Sequence, residues 1–149
     1  MSVYNTGVID EFKNNGGILS STATPFAQGI LDVSDLAFDA AGNLYVGNNS
    51  NNGNIIKITP QGNESIYSTL AADPIGELAF NNAGDLFVCN NSTVSEIAPG
   101  GGMGTVVASG LGNDTGLAIE GIALPVPEPS TWAMAALGGA VMLFRRKKA

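Results

Sequence analysis

The chain repeats itself at a fixed period. Leu36-Ala37-Phe38-Asp39-Ala40-Ala41-Gly42-Asn43-Leu44-Tyr45-Val46-Gly47-Asn48 recurs 42 residues later as Leu78-Ala79-Phe80-Asn81-Asn82-Ala83-Gly84-Asp85-Leu86-Phe87-Val88-Cys89-Asn90. A third start, Gly116-Leu117-Ala118-Ile119-Glu120, follows 39 residues after the second. The segment behind each start repeats as well: Gly53-Asn54-Ile55-Ile56-Lys57-Ile58-Thr59-Pro60 matches Val94-Ser95-Glu96-Ile97-Ala98-Pro99, and also Gly7-Val8-Ile9-Asp10-Glu11-Phe12. Such a period means that each unit is one supersecondary element whose apolar face is buried only by stacking on a neighbour.

Within a unit the residues spell short strands and tight turns. Leu36–Phe38 is a brief apolar run, and Asp39-Ala40-Ala41-Gly42 a turn. The aspartate can accept from the turn amides and the glycine can take a positive φ. Asn43–Val46 returns, an Asn-rich loop follows, Ile55–Ile58 gives a third strand and Ser65–Leu70 a fourth. Four short strands in about 40 residues is the period of one β-propeller blade. The strands are apolar on both faces, as a blade covered on each side requires. With 44% hydrophobic and 13% charged residues, the chain is too apolar to be a disordered polymer, and its 20 glycines and 7 prolines argue against long helices.

The Leu-Ala-Phe-Asp-x-x-Gly-Asn-Leu-Tyr-Val pattern, followed by an Asn-rich loop and Ile-x-Lys-Ile-x-Pro, resembles NHL-type propeller repeats over roughly residues 5–122. The fold implied is all-β: a partial β-propeller of about two complete four-stranded blades plus half blades, occupying residues 1–122. A closed propeller has four to eight blades. Residues 1–12 read as the second half of a blade, and Met1–Ser20 holds no basic-then-apolar leader. The expectation is that the chain lacks its N-terminal part; the alternative is a ring completed with other copies.

Charge divides the chain. Residues 1–130 hold all 13 acids and only Lys13 and Lys57, whereas residues 131–149 hold no acid and four bases. An acidic body argues against nucleic acid as a partner, since phosphates call for a basic face. The absence of histidine removes the usual general base and the commonest metal ligand. The single cysteine, Cys89, lies in an apolar run and reads as a buried structural thiol.

After Gly121 the composition changes. Residues 123–131 form a proline-locked linker containing Val126, Pro127, Glu128 and Pro129. Trp132, Ala133, Met134, Ala135, Ala136, Leu137, Gly138, Gly139, Ala140, Val141, Met142, Leu143 and Phe144 follow without a charge, then Arg145, Arg146, Lys147 and Lys148. As a helix this run spans about 20 Å against a hydrocarbon core of about 30 Å, a deficit that snorkelling bases and an interfacial tryptophan cover. The expectation for 132–149 is a hydrophobic helix in the lipid bilayer whose basic cluster stays cytoplasmic.

Val126-Pro127-Glu128-Pro129-Ser130-Thr131-Trp132, the apolar run and the basic end together resemble the PEP-CTERM sorting signal of Gram-negative bacteria. The resemblance implies recognition near Pro127-Glu128-Pro129 by an exosortase-type membrane transpeptidase, with Glu128 a recognition element. It also implies export across the inner membrane to the cell envelope or beyond, and extracellular polysaccharide as a further partner. The chain is thus expected to be an exported cell-surface or extracellular-matrix protein, held transiently in the membrane by its C-terminus, with blades that bind rather than catalyse. One alternative is a permanently tail-anchored envelope protein.

Another alternative is a fragment of a metal-dependent hydrolase. The repeats are also similar to those of gluconolactonase-like propellers, which hold a divalent metal through axial Glu, Asn and Asp. Candidates of those types here are Asn48, Asn49, Asn52, Asn90, Asn91 and acids such as Asp35 and Glu77. Nothing in the pattern makes them converge, and turn and loop duty is expected of them. No EF-hand spacing occurs. No metal, cofactor or catalytic residue is expected.

Overall fold

A computed structural model of the chain describes residues 2–3, 7–50, 53–70, 74–112 and 116–119. Among these the secondary structure is all β, in thirteen strands. In chain order they are β1 (Ser2–Val3), β2 (Val8–Glu11), β3 (Asn14–Asn15), β4 (Ile18–Leu19), β5 (Thr24–Gln28), β6 (Val33–Phe38), β7 (Leu44–Asn48), β8 (Asn54–Ile58), β9 (Glu64–Thr69), β10 (Ile75–Phe80), β11 (Leu86–Asn90), β12 (Thr93–Ile97) and β13 (Thr105–Ser109). The linker 123–131 and the expected terminal helix 132–149 lie outside the described residues.

The repeat becomes two four-stranded antiparallel sheets of the same order, β6-β7-β8-β9 and β10-β11-β12-β13. Their registers superpose with the 42-residue shift. Leu36 pairs with Val46 and Phe38 with Leu44; Leu78 pairs with Val88 and Phe80 with Leu86. A bulge interrupts both pairings at the same place, after Val33 and after Ile75. A three-stranded sheet, β1-β2-β5, precedes them, interrupted by the hairpin β3–β4.

Two turns show why the residues form these elements. Asp39 Oδ1 accepts from Ala41 N at 2.9 Å and Asn43 N at 2.8 Å, and Gly42 takes φ +81°. In the second repeat Asn81 Oδ1 accepts from Ala83 N and Asp85 N, both at 2.9 Å, with Gly84 at φ +88°. The acid and the amide have exchanged places between repeats. Asn43 Nδ2 donates to Asp39 Oδ2 at 2.7 Å, whereas Asn81 Nδ2 donates to Asp85 Oδ2 at 2.8 Å. Either order satisfies the turn, because a carboxylate and an amide oxygen both accept from turn amides.

A second exchange is steric. A Cβ on Gly47 would collide with Ser34 Oγ and lie 2.9 Å from Ile75 Cγ2. At the corresponding position stands Cys89, and opposite it Gly76, where a Cβ would lie 3.0 Å from Cys89 O. One member of each facing pair carries a side chain and the other is glycine, so the occupied space is conserved while its donor changes. Cys89 itself is buried, as its apolar run implied.

The sheets stack face to face. Tyr45, Ile55 and Leu70 of the middle unit meet Ile75, Leu78, Leu86, Val88 and Ile97 of the last in one core. On its other face the middle sheet gives Leu44, Val46 and Ile58 to a core with Ile9, Ala27 and Ile30. Every residue of β7 is buried, which accounts for strands that are apolar on both faces.

Candidate functional site

Four of the polar residues that could have ligated a metal, Asp35, Glu77, Asn48 and Asn49, accept hydrogen bonds within the fold. Asp35 Oδ2 accepts from Leu78 N at 2.7 Å, and Glu77 Oε2 accepts from Leu117 N at 2.5 Å. Each acid sits one residue before the leucine that opens its repeat and bonds the matching leucine of the next. The spacing of 42 then 39 residues is thus written into the backbone bonding between units. Asn49 is bidentate on Ile75, with Ile75 N donating to Oδ1 at 2.6 Å and Nδ2 donating to Ile75 O at 3.2 Å. Asn48 Oδ1 accepts from Ser50 N at 2.9 Å and Ser50 Oγ at 2.6 Å. Asn91 occupies a turn at φ +51°. Asn90 is buried, and its Oδ1 has no hydrogen-bond partner among the described residues. Asn52 lies outside the described residues. No group of three or more Cys, Asp or Glu able to hold a metal ion occurs among the described residues.

What sequence reasoning missed is an aromatic wedge between the second and third sheets. The Tyr45 ring meets Tyr67 edge-on at 4.8 Å and 85°, and Phe80 at 4.8 Å and 71°. Lys57 Nζ lies 5.5 Å from the centre of the Tyr45 ring, within cation–π range. Tyr45 donates its hydroxyl to Asp39 Oδ2 at 3.2 Å, and Tyr67 donates to Ala98 O at 2.9 Å across the sheets. Burial, followed by the charge of Asp39 and the bond to it, pushes the Tyr45 hydroxyl up to about 12. Burial works against the Asp39 carboxylate, but donors from Asn43, Tyr45 and the Ala41 N–H outweigh it and hold the group below its ordinary 3.8.

A cleft lies at the matching place between the first and second sheets. The pairing Ile9↔Ala27, with its bulge after Ile9, matches Ile55↔Ser68, with its bulge after Ile55. Phe26 therefore stands where Tyr67 stands, and Glu11 where Lys57 stands. Phe38 corresponds to Phe80 by the 42-residue shift. The cleft has a volume of about 460 Å³ and is lined among the described residues by Ile9, Asp10, Glu11, Phe12, Asn14, Phe26, Leu36, Phe38, Gly42, Leu44 and Pro60. Phe38 is 66% exposed there, whereas Phe80 is half-buried under Tyr45.

The other candidate site is the terminal segment. Val126–Pro129, Trp132–Phe144 and Arg145–Lys148 all lie outside the described residues. Residues 125–148 match the PEP-CTERM protein-sorting motif. No curated protein matches the chain. The chain therefore carries a PEP-CTERM signal on an all-β body. Such a signal is recognised by exosortase, a membrane enzyme, and marks an exported protein that is anchored in the membrane or processed at its C-terminus.

Proposed function

We propose that this chain is a cell-surface or extracellular-matrix protein, sorted through its C-terminus, whose β-repeat body is a binding module. The observation that carries the reading is the motif match at 125–148, at the end of a chain whose body holds nearly all the negative charge. In this reading the enzyme recognises Val126, Pro127, Glu128 and Pro129. Trp132–Phe144 enters the bilayer, and Arg145–Lys148 stays on the cytoplasmic side because four adjacent cations do not cross hydrocarbon. The body, residues 1–122, is read as propeller blades of the NHL kind: sheets of one order, stacked face to face, with β6 linked to β10 by the Asp35 bond and β10 tied to Leu117 by the Glu77 bond.

A binding role is favoured over a lactonase-like hydrolase by what the candidate ligands do. Asp35, Glu77, Asn48 and Asn49 already accept from other groups of the fold. A metal at Asp35, Glu77 or Asn49 would have to displace bonds that join one repeat to the next. Extracellular polysaccharide is the matrix component that the sorting resemblance offers as a neighbour.

The test is the mass of the mature protein recovered from an exosortase-bearing host. Loss of roughly the last 20 residues supports processing after export. A full-length chain in the membrane fraction supports the permanent anchor instead, and a full-length chain in the cytosol refutes the sorting reading.

A further inference from the structure

The hairpin β3–β4 stands outside the repeat and carries a peptide bond that can react with its own side chain. The loop of the hairpin is Gly16-Gly17, at φ +65° and +94°, and Asn15 stands directly before it. Among the described residues β3 and β4 pair only with one another, through Asn14↔Leu19 and Asn15↔Ile18. Ser20 N donates to Lys13 O at 2.8 Å and closes the base. The two adjacent asparagines are placed differently. Asn14 Oδ1 accepts from Gly17 N at 2.7 Å, which ties that side chain into the turn. Asn15 precedes a glycine, whose missing Cβ leaves its nitrogen open to the side-chain carbonyl before it. A two-stranded hairpin is marginal by itself in water, and no residue of this one belongs to either buried core. It therefore opens easily, which frees Asn15 to take the conformation that the reaction needs.

We propose that Asn15 is a self-modification site and that its conversion releases the hairpin. Gly16 N gives its proton to water and attacks Asn15 Cγ. The N–Cγ bond forms, the Cγ–Nδ2 bond breaks, and the amide nitrogen leaves as ammonia with a proton taken back from water. The five-membered imide then adds one water. Opening at one carbonyl gives aspartate, and opening at the other gives isoaspartate. Either product adds a negative charge to a stretch that already carries Asp10 and Glu11. Isoaspartate also inserts a methylene into the main chain, so position 15 no longer faces Ile18 in register. The pairing that holds Lys13 at the base of the hairpin is then lost. Unpaired loop backbone is what proteases cut, and Lys13 is one of only two bases in residues 1–130. With age the chain thus acquires a site for a protease that cuts after lysine. The other Asn-Gly bond, Asn52-Gly53, differs: Gly53 is buried and its carbonyl accepts from Leu70 N at 3.0 Å. This inference goes beyond the proposed binding role and does not depend on it.

The experiment ages the full chain in neutral maltoside micelles at mildly alkaline pH, beside a free peptide of residues 11–20, and follows both by peptide mapping in a mass spectrometer. The expected result is a gain of about 1 Da at position 15, as aspartate and isoaspartate. Its rate is expected within about tenfold of the free peptide, because the hairpin opens easily. Asn52 is expected to convert more slowly than Asn15 by about tenfold or more, since the backbone at Gly53 must first leave its packed place. Asn15→Gln is expected to abolish the gain at that position, because the longer side chain closes a six-membered ring far more slowly. Trypsin is expected to cut the aged chain after Lys13 several-fold faster than the fresh chain, with no such change in Asn15→Gln. The melting of the body is expected to be the same in all three, since the hairpin lies outside both cores. A rate at Asn15 more than about tenfold below that of the free peptide overturns the site. Conversion of Asn52 as fast as Asn15 overturns the role of the hairpin in selecting it. Equal cleavage after Lys13 in fresh and aged chains overturns the release of the hairpin. None of these readings involves export or the C-terminus, so failure here is separable from failure of the sorting reading.

Discussion

Replacing Gly47 by alanine tests whether the two repeats are packed by the same steric rule. The new Cβ would overlap Ser34 Oγ and stand 2.9 Å from Ile75 Cγ2. Ser34 can rotate away, at the cost of the bond its Oγ donates to Gly47 O at 3.3 Å. Ile75 is 2% exposed and has no room to move. Overpacking of this kind costs about 1–3 kcal/mol. Ser34→Gly alone removes that same hydrogen bond and loosens the strand, for about 1 kcal/mol. Together the two changes reproduce the arrangement of Gly76 and Cys89, in which one partner yields space to the other. The double variant should then be more stable than the sum of the singles by about 1 kcal/mol. Thermal unfolding of the full chain in neutral micelles, followed by circular dichroism, reads this as about 4 °C. Strict additivity would refute the idea that facing positions in the two repeats share one allotment of space.

Other outcomes follow from the same contacts. Asp35→Ala leaves the buried Leu78 amide without its acceptor and should cost about 1–3 kcal/mol, with faster hydrogen exchange at Leu78. Asp35→Asn keeps an acceptor and should cost less than half as much, and equal losses would contradict a role as acceptor. The Tyr45 hydroxyl lies above its ordinary 10, at about 12. Its contribution to stability is therefore complete below about pH 10 and lost as pH rises towards 12. Tyr45→Phe should flatten that alkaline limb, and an unchanged profile would argue against it. Asp39 lies below its ordinary 3.8, so its contribution is present above that value and lost as pH falls through its folded-state value. Asp39→Ala should reduce the acid sensitivity of melting. Glu128→Ala should block C-terminal processing while the melting temperature of the body stays the same; a normally shortened product would count against Glu128 as a recognition element.

The 42-residue self-similarity was enough to place both complete sheets, because strand, turn and strand are set by local chemistry. Asp39 or Asn81 accepts from amides two and four residues on, and glycine supplies the positive φ. That strands apolar on both faces are buried on both faces was likewise legible, as β7 shows. The extra hairpin β3–β4 was not, since Asn14–Leu19 has no counterpart in the later repeats.

The sorting signal belongs wholly to the sequence. It is a linear order of a proline-bound glutamate, an uncharged run and a basic end, and a linear order is read without a fold. The duties of Asp35 and Glu77 were decided only in three dimensions. Their partners stand 43 and 40 residues away, and a carboxylate at such a position looks equally like a ligand until the next repeat is packed against it. The cleft lined by Phe26 and Phe38 also belongs to the tertiary structure. A cleft is a contact that fails to be made between two sheets, and no pattern within either sheet records it.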